Sequence, residues 1–230
     1  MKILFIASAN SVHSLRWIKY FSLNTDNKIT WISIKKPNHE TLIEFKKLNK
    51  NINKYIISNF LNLISIFKEI MFLRNSLVHI HYLGWHSLLL IFIHKSNKII
   101  STPWGSDLLL NRNKIKNIWL NYLFSRTSLV LCDSKRLANI AFKLGHKKKI
   151  IKIINFGIDT NLYNKKRDIF SSNKNIVVGS NRRLEKIYDI ETFINAAEIV
   201  IKNIKNITFQ IAGDGSLRDY LNKKVKDKGI

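Results

Sequence analysis

Three cations near residue 185 have the chemistry to bind a phosphate. Arg182, Arg183 and Lys186 follow a short β-branched segment and precede an amphipathic one. Guanidinium forks and an ammonium at the start of a helix can hold a diphosphate, together with backbone N–H groups. A solvated basic turn in a lysine-rich chain is the alternative. We therefore treat these three side chains as candidates for binding a diphosphate.

Two glycines follow the next β-branched segment. Gly213-Asp214-Gly215 forms a G-x-G without a third glycine, because Arg218 occupies that place. This is a weak form of the dinucleotide-binding fingerprint, in which glycines let the backbone approach a pyrophosphate. Gly213 and Gly215 are therefore candidate substrate-binding residues.

Histidines form a second group with possible chemistry. His79 and His81 are two residues apart in a β-branched segment, so they share one face of a strand. Together with His86 they suggest a metal site, but no carboxylate or cysteine is spaced to complete it, and we predict no metal. His81, at the carboxyl end of the strand, is a candidate ligand-facing group, whereas His79 is predicted to be structural. His13 could meet an anion or a sugar hydroxyl, or it could be a plain turn residue.

The elements that position these residues alternate in type along the first 155 residues. Strands are predicted at 2–7, 28–34, 52–57, 77–81, 98–102, 128–131 and 150–154. Helices are predicted at 11–21, 59–73, 114–125 and 134–144, the last with Ser134 as its N-cap. This alternation predicts an α/β fold with a mostly parallel sheet and helices on both faces.

A polar segment separates this region from a second one. Residues 156–173 are rich in Asn, Ser, Lys and Arg, which is the composition of a linker. Strands at 175–179 and 207–212 and helices at 189–203 and 216–226 then follow. We predict one domain at 1–155, a linker at 156–173 and a second domain at 174–230. Two βα units cannot cover both faces of a parallel sheet, so the second domain is predicted to be incomplete.

Polar and glycine-bearing turns follow the predicted strands. In open α/β sheets, ligands bind outside the carboxyl ends of the strands, which is where such turns lie. The candidates contributed by the first domain and its border with the linker are Asn10, His13, Trp104, Gly105, Ser106, Asp107, Gly157 and Asp159.

The net charge of +24, from 39 Lys and Arg against 15 Asp and Glu, suits anionic partners. An AT-rich coding sequence is an alternative source of the excess lysine. The single cysteine, Cys132, excludes an internal disulfide, fits a reducing compartment and is predicted to be a small core residue rather than a nucleophile. The apolar part of residues 1–8 is too short for a secretory signal, and 83–93 is too short to span a bilayer. We therefore expect a soluble or surface-bound cytoplasmic protein.

The motifs resemble, in order, those of the retaining GT-B glycosyltransferases of family 4, the glycosyl transferases group 1. The similarity implies a GT-B fold with two Rossmann-like domains, the second incomplete here. The segments that carry it are 1–21, Val78-His-Ile-His81-Tyr, Thr102-Pro-Trp-Gly-Ser-Asp107, 131–145, Ile154-Asn-Phe-Gly157-Ile-Asp159, 177–200 and 208–221.

Several positions depart from the family pattern. Trp104 stands where the family often has His, and Ser8-Ala-Asn-Ser11 replaces a glycine pair. The family's diphosphate-binding Arg and Lys are usually five residues apart, whereas Arg182 and Lys186 are four apart, with Arg183 as a substitute. The family's pair of glutamates is expected beyond residue 230. We therefore expect a chain that is truncated in its second domain and inactive on its own.

The resemblance implies transfer of a sugar from a nucleoside-diphosphate sugar to an acceptor hydroxyl, with retention and without a metal or cofactor. In that scheme Arg182, Arg183 and Lys186 bind the donor diphosphate. His81 and Asp107 are the expected catalytic groups and face the sugar or the acceptor, and the other candidates bind substrate. Synthesis of a cell-surface polysaccharide or glycolipid is the expected setting.

The acceptor could be a sugar or a lipid-linked molecule. In residues 112–126, basic and aromatic side chains are interspersed. This segment could lie on the anionic inner face of the cytoplasmic membrane. A core-facing helix with a basic outer side is the alternative.

Three rival functions stay open: a nucleic-acid-binding protein, a non-catalytic remnant and a GT-B sugar-nucleotide epimerase. The sequence contains none of the usual nucleic-acid modules, so no nucleic acid is expected.

Overall fold

The computed structural model describes residues 1–48, 52–57, 60–110, 113–144, 150–158, 160–161 and 176–230. The chain divides into two compact units, Met1–Ile158 and Asp159–Ile230. Most of the predicted linker lies outside the described residues, so the predicted domain bounds stay a prediction. None of the helices in the described ranges is long and apolar enough to cross a membrane.

The first unit is built on a parallel sheet. Its described strands are β1 Lys2–Ile6, β2 Lys28–Ser33, β3 Ile52–Ile56, β4 Leu77–His81, β5 Lys98–Thr102, β6 Leu129–Cys132 and β7 Ile150–Ile153. They pair in the order β3-β2-β1-β4-β5-β6-β7, and every pairing is parallel. This confirms the predicted α/β class, because β-branched runs bounded by polar turns favour strands buried on both faces.

Helices connect these strands. They are α1 Val12–Asn24, α2 His39–Lys47, α3 Phe60–Phe72, a 3₁₀ helix at Trp85–Phe92, α4 Ser106–Leu109, α5 Lys114–Arg126 and α6 Lys135–Lys143. The Ser134 hydroxyl accepts a hydrogen bond from the Leu137 N–H and caps α6, as predicted. Ser11 caps α1 in the same way, by accepting from the Ser14 N–H.

The helices pack on both faces of the sheet, around two apolar cores. Successive strand residues point to opposite faces, so Leu4 and Ile6 belong to one core while Ile3 and Phe5 belong to the other. The first core contains residues of α3, the 3₁₀ helix, α4, α5 and α6. The second contains Leu15 and Ile18 of α1, and Phe45 of α2 packs against it. The two-faced arrangement agrees with the prediction from strand–helix alternation.

The strand order reverses between β1 and β4. Strands added after β1 extend the sheet to one side, and strands from β4 onward extend it to the other. Such a reversal opens a crevice outside the carboxyl ends of the two central strands, and ligands of open α/β sheets bind there. The turns that follow β1 and β4 therefore form the expected position of a binding site.

The second unit contains two parallel strands, β8 Ile176–Ser180 and β9 Ile207–Ile211. A 3₁₀ turn at Lys186–Tyr188 and the helices α7 Ile190–Asn203 and α8 Arg218–Asp227 accompany them. Leu184, Ile190, Ile194 and Leu221 form a small core. Val177 of β8 stays 56% exposed, as expected of a parallel sheet that its helices cover only in part.

Candidate functional site

His81 lies at the reversal point of the sheet, at the carboxyl end of β4. Its side chain is fully buried, and its Nδ1 lies 3.3 Å from the hydroxyl of Ser14 in the first turn of α1. On the loop before α1, the Ser8 hydroxyl donates to the Asn10 amide oxygen at 2.6 Å. The structure thus brings the predicted residue His81 to the same edge as the loop that carries Asn10.

Aromatic rings surround His81 and set its charge state. The rings of Phe5, Trp17 and Trp104 lie 5.5–5.8 Å from it, centroid to centroid. Burial, followed by the neighbouring His79, lowers the pKa of His81 well below its usual range. The imidazole is therefore neutral at physiological pH, and it can exchange hydrogen bonds but cannot supply a positive charge.

Two buried nitrogens near this point lack a hydrogen-bond partner among the described residues: Nε2 of His81 and Nε1 of Trp104. Buried polar groups are normally paired, so an unpaired one invites an explanation. A neutral imidazole and an indole N–H together can accept one hydrogen bond and donate another. A hydroxyl group has the complementary pair of functions.

His79 has a structural role, as predicted. Its Nε2 lies 2.7 Å from the Thr102 hydroxyl, which ties β4 to β5. Burial lowers the pKa of His79 to about 3, so this ring is also neutral.

Asp107 connects two loops instead of facing solvent. Its carboxylate accepts hydrogen bonds from the backbone N–H groups of Leu83, Trp104 and Gly105 at 2.7–3.0 Å. The side chain is only 2% exposed, and burial raises its pKa against the lowering effect of those donors. This corrects the expectation that Asp107 faces the sugar or the acceptor: its oxygens are occupied in holding the loop after β5 against the loop after β4.

The rest of the predicted loop after β5 is more accessible. Gly105 has φ 115°, a conformation that glycine adopts without strain. The Ser106 hydroxyl donates to the phenolic oxygen of Tyr82 at 3.3 Å. Trp104, Gly105 and Ser106 are all half-buried, so this loop presents an indole ring and a hydroxyl at the carboxyl edge.

The segment after β7 lies over the same edge. The ring of Phe156 stacks on His13 with centroids 4.6 Å apart, and Trp104 meets His13 edge-on at 5.1 Å. The Gly157 carbonyl accepts from Arg16 at 3.5 Å. Burial and the nearby Arg16 lower the pKa of His13. His13, Trp104 and Gly157 are thus brought together, while Asp159 lies outside the described residues.

The predicted cations of the second unit lie just past the carboxyl end of β8, and all three are exposed. Arg182 lies over the ring of Tyr188 at 5.9 Å, and Arg183 pairs with Glu185 at 3.7 Å. Lys186 begins the 3₁₀ turn. In the part of the chain that the structure describes, neither Arg182 nor Lys186 pairs with a carboxylate, so both charges are available for an anion.

Close packing between two loops requires glycine at positions 213 and 215. A Cβ on Gly213 would lie 2.1 Å from the Arg182 carbonyl oxygen, and one on Gly215 would lie 2.5 Å from that of Leu184. The Leu184 N–H also donates to the Asp214 carbonyl at 3.0 Å. The two glycines therefore allow the loop after β9 to pack against the loop that carries the cations. This packing accounts for the G-x-G pattern whether or not a dinucleotide binds there.

Glu185 is a site residue that sequence reasoning missed. Its carboxylate accepts from the Ser216 hydroxyl at 2.7 Å and from the Ser216 N–H at 3.2 Å. The Ser216 hydroxyl is the main reason that the pKa of Glu185 is lowered. The two partners are 31 residues apart, so no local spacing signals the pair. Glu185 fixes the loop that presents Arg182 and Lys186.

No group of three metal-ligating side chains is present in the ranges that the structure describes. In the proposed histidine cluster, Nε2 of His86 instead contacts the His81 carbonyl at 2.6 Å. Cys132 is buried, and burial raises the pKa of its thiol to about 12, so it is a protonated core residue.

Residues 2–134 match the family model described as "glycosyl transferase 4-like". No curated protein matches the chain by sequence. Among solved structures, Anabaena HepE in complex with UDP and glucose shares 17% identity at a TM-score of 0.69, covering 99% of this chain and 65% of HepE.

Two further structures resemble the chain. TarM covers 99% of this chain and 74% of its own length, with 12% identity and a TM-score of 0.67. Sucrose-phosphate synthase from Thermosynechococcus elongatus covers 100% of this chain and 68% of its own length, with 11% identity and a TM-score of 0.63.

At these identities the solved structures establish the fold, which is that of GT-B glycosyltransferases. The chain spans 65% of the length of HepE. The family model covers more than half of the chain, including α1 and the strands β1, β4 and β5 that carry the candidate site. The chain therefore belongs to the glycosyl transferase 4-like family.

Proposed function

We propose that the protein transfers a sugar from a nucleoside-diphosphate sugar to an acceptor hydroxyl, with retention of the anomeric configuration. The observation that supports this most is the loop after β8, which presents two exposed cations without carboxylate partners in the described residues. Glu185 and the two close-packed glycines hold that loop in place. The complex of HepE with UDP and glucose supports a nucleotide sugar as the donor.

The chemistry requires cations in this place. As the glycosidic bond to the donor phosphate breaks, negative charge develops on the leaving diphosphate. Arg182 can offer a planar pair of N–H donors, and Lys186 can offer a point charge. Arg183 could also donate hydrogen bonds to the diphosphate, although it already forms an ion pair with Glu185. These side chains would stabilise the leaving group without a metal ion or other cofactor.

The acceptor side is proposed at the carboxyl edge of the first unit. The nitrogens of neutral His81 and of the Trp104 indole that are unpaired within the described ranges lie beneath this edge, and a sugar hydroxyl would reach them by displacing the side chains that cover them. Asp107 acts as a positioning residue, because it holds the loop that carries Trp104. Asn10, His13 and Ser106 lie on the loops around this edge and would contact the rest of the substrate. Gly157 lies on the segment over this edge, whereas Gly213 and Gly215 support the cation-bearing loop of the second unit through the backbone.

The setting and extent of the activity are further parts of the proposal. We propose synthesis of a cell-surface polysaccharide or glycolipid, in the cytoplasm at the inner face of the membrane. The predicted domain bounds are part of the proposal. The activity is proposed for the whole protein, because the chain spans 65% of the length of HepE.

A donor screen tests this function. The complete protein is incubated with common UDP-, GDP- and dTDP-sugars, with and without membrane lipid extract, and nucleotide release is followed. We expect release from one donor that an acceptor accelerates, and a product with the donor's anomeric configuration by NMR. Conversion of the sugar without an acceptor would instead indicate an epimerase. Absence of release from every donor would favour a non-catalytic remnant.

A further inference from the structure

An unusual apolar surface covers the outer side of α3. The inner residues Ile66 and Ile70 are fully buried in the first core. On the opposite side, four large apolar side chains point to solvent instead of the polar residues that an amphipathic surface helix normally shows. They are Ile64, Phe67, Met71 and Phe72, which are 42%, 39%, 52% and 81% exposed.

The 3₁₀ helix extends this surface. The rings of Phe67 and Phe92 meet edge-on with centroids 4.9 Å apart. Phe92 is 43% exposed, and its neighbour Ile91 is 55% exposed. The two elements therefore expose adjacent apolar side chains on one side of the first unit.

Helix α5 adjoins the same side. The Trp119 indole donates to the Ser87 hydroxyl, and Arg126 donates to the Ile93 carbonyl, both at 2.9 Å. On its outer side Ile118 is 69% exposed and Tyr122 is 38% exposed. We call the combined surface the apolar face: Ile64, Phe67, Met71, Phe72, Ile91, Phe92, Ile118 and Tyr122. Soluble monomers rarely expose many large apolar side chains together, so this face marks an interaction site.

Cations strongly outnumber carboxylates in the segment that carries the apolar face. Between residues 60 and 126 the only acidic residues are Glu69 and Asp107. Glu69 accepts a hydrogen bond from Tyr55, and Asp107 is buried on backbone N–H groups. The same stretch contains Lys68, Arg74, Lys95, Lys98, Arg112, Lys114, Lys116 and Arg126. Apolar side chains on elements with an excess of cations are complementary to an anionic lipid surface.

A second copy of the chain fits this surface less well. Pairing the apolar face with itself in a symmetric dimer would bring the same cations together with too few carboxylates to neutralise them. A phospholipid bilayer supplies both an apolar layer and anionic phosphates.

We propose that the apolar face rests on an anionic phospholipid bilayer, with Phe72 and Phe92 entering the boundary of the acyl chains and Lys68 and Lys95 contacting phosphates. The membrane contact expected at 112–126 is thereby extended to α3 and the 3₁₀ helix, which contribute most of its apolar part. The proposal deepens the proposed function, on which it rests for the lipid-linked acceptor.

Vesicle flotation of the full chain tests this proposal. Vesicles of phosphatidylcholine mixed with phosphatidylglycerol are compared with phosphatidylcholine alone, in the absence of any sugar nucleotide. The test variants are Phe72→Ser with Phe92→Ser, and Lys68→Gln with Lys95→Gln. The matched apolar control is Leu23→Ser with Ile199→Ser, because these side chains are 66% and 65% exposed on α1 and α7. The charge control is Lys223→Gln with Lys226→Gln on α8.

We expect the wild type to prefer anionic vesicles by on the order of tenfold or more, and the Phe pair to lose on the order of tenfold in partitioning. The Lys68 and Lys95 pair should reduce the preference for anionic lipid, and both controls should bind like the wild type. Circular dichroism and thermal unfolding establish that each variant is folded. Equal binding by the wild type and the folded Phe variant would overturn the proposal.

Two other outcomes are distinguishable. If light scattering shows a dimer that the Phe substitutions dissociate, a second copy covers the apolar face and the lipid proposal is wrong. If vesicle binding fails while the whole protein still releases nucleotide with a soluble acceptor, only the membrane proposal falls. Vesicle binding without nucleotide release would overturn the proposed function and leave the membrane contact standing.

Discussion

The hydroxyl of Ser14 lies 3.3 Å from Nδ1 of His81, which joins the first turn of α1 to the carboxyl end of β4. This contact joins the helix that follows β1 to the end of β4, at the point where the strand order reverses. It also fixes the ring of a histidine whose other nitrogen has no partner in the described residues. Position, burial and the unpaired nitrogen together make His81 the first residue to test on the acceptor side.

Replacing His81 by Phe keeps a buried ring and removes both nitrogens. We expect kcat for transfer to fall by roughly 10- to 100-fold, which corresponds to about 1.4–2.7 kcal/mol of lost transition-state stabilisation. The Kd for the donor nucleotide should change less than about twofold, because the cations proposed to bind the donor diphosphate belong to the other unit. Steady-state kinetics and calorimetry measure the two effects. His94→Phe, an exposed histidine, is the control; an unchanged kcat in His81→Phe would remove His81 from the mechanism.

His79 should make the first unit sensitive to acid. Burial lowers its folded-state pKa to about 3, whereas an imidazole in the unfolded chain protonates near about 6.5. The unfolded state therefore binds the extra proton first, and stability that is complete above about pH 6.5 is lost as pH falls toward 3. For this group alone the loss is about 1.4 kcal/mol per pH unit.

The replacement His79→Gln removes that titration and keeps a hydrogen-bonding side chain. Unfolding free energies are measured with urea at about pH 7 and pH 5. The loss between the two pH values should be smaller in the variant than in the wild type, by about 1.4 kcal/mol for each pH unit below about 6.5. Identical losses in the two proteins would mean that His79 is not held neutral in the folded state.

Asp107 should matter for stability as well as for activity. Asp107→Ala leaves the N–H groups of Leu83, Trp104 and Gly105 without their acceptor, and we expect a loss of about 2–4 kcal/mol in unfolding free energy. Asp26→Asn, on an exposed turn, should change it by less than about 0.5 kcal/mol. Chemical denaturation measures both. A fully stable Asp107→Ala variant with reduced kcat would restore the catalytic role that the buried geometry argues against.

Much of this architecture follows from local patterns. The β-branched runs mark every described strand of the parallel sheet to within one residue, because strands buried on both faces must be apolar throughout. Helix α2, the 3₁₀ helix at Trp85–Phe92 and the four-residue helix α4 were not predicted. The first has a short polar pattern whose capping box, Asn38 with Thr41, is its main signal. The second is an apolar run without a polar face, and periodicity cannot assign such a run.

The sequence predicts where in the fold the candidate site residues lie, but it does not predict which hydrogen bonds they make. Strand-end turns locate His81, Trp104 and Arg182 correctly at carboxyl edges, since parallel topology alone puts them there. The role of Asp107 depends on the N–H of Leu83, 24 residues away. Glu185 depends likewise on Ser216, which only the folded chain brings near. Long-range hydrogen bonds of this kind leave no spacing in the sequence.

Gly215 tests whether loop packing in the second unit matters for function. Gly215→Ala would place a Cβ 2.5 Å from the Leu184 carbonyl oxygen, and we expect it to cost about 1–3 kcal/mol through overpacking. Nucleotide affinity should fall with it, because the loop after β8 would shift. Gly179→Ala on β8 is the matched control, since the nearest atom to a Cβ there is the Gln210 carbonyl oxygen at 3.9 Å. Equal stability and nucleotide affinity in the two variants would show that the glycines are not needed for packing.

Binding of UDP to the whole protein, measured by calorimetry, tests the role of Arg182 and Lys186 most directly. Each charged hydrogen bond to the diphosphate should contribute about 1.5–3 kcal/mol, so Arg182→Ala with Lys186→Ala should raise the Kd by roughly two orders of magnitude or more. Lys223→Ala with Lys226→Ala removes the same charge from the exposed side of α8 and should change the Kd less than about threefold. An Arg182 and Lys186 variant that binds UDP as tightly as this control would contradict the assignment of the diphosphate site.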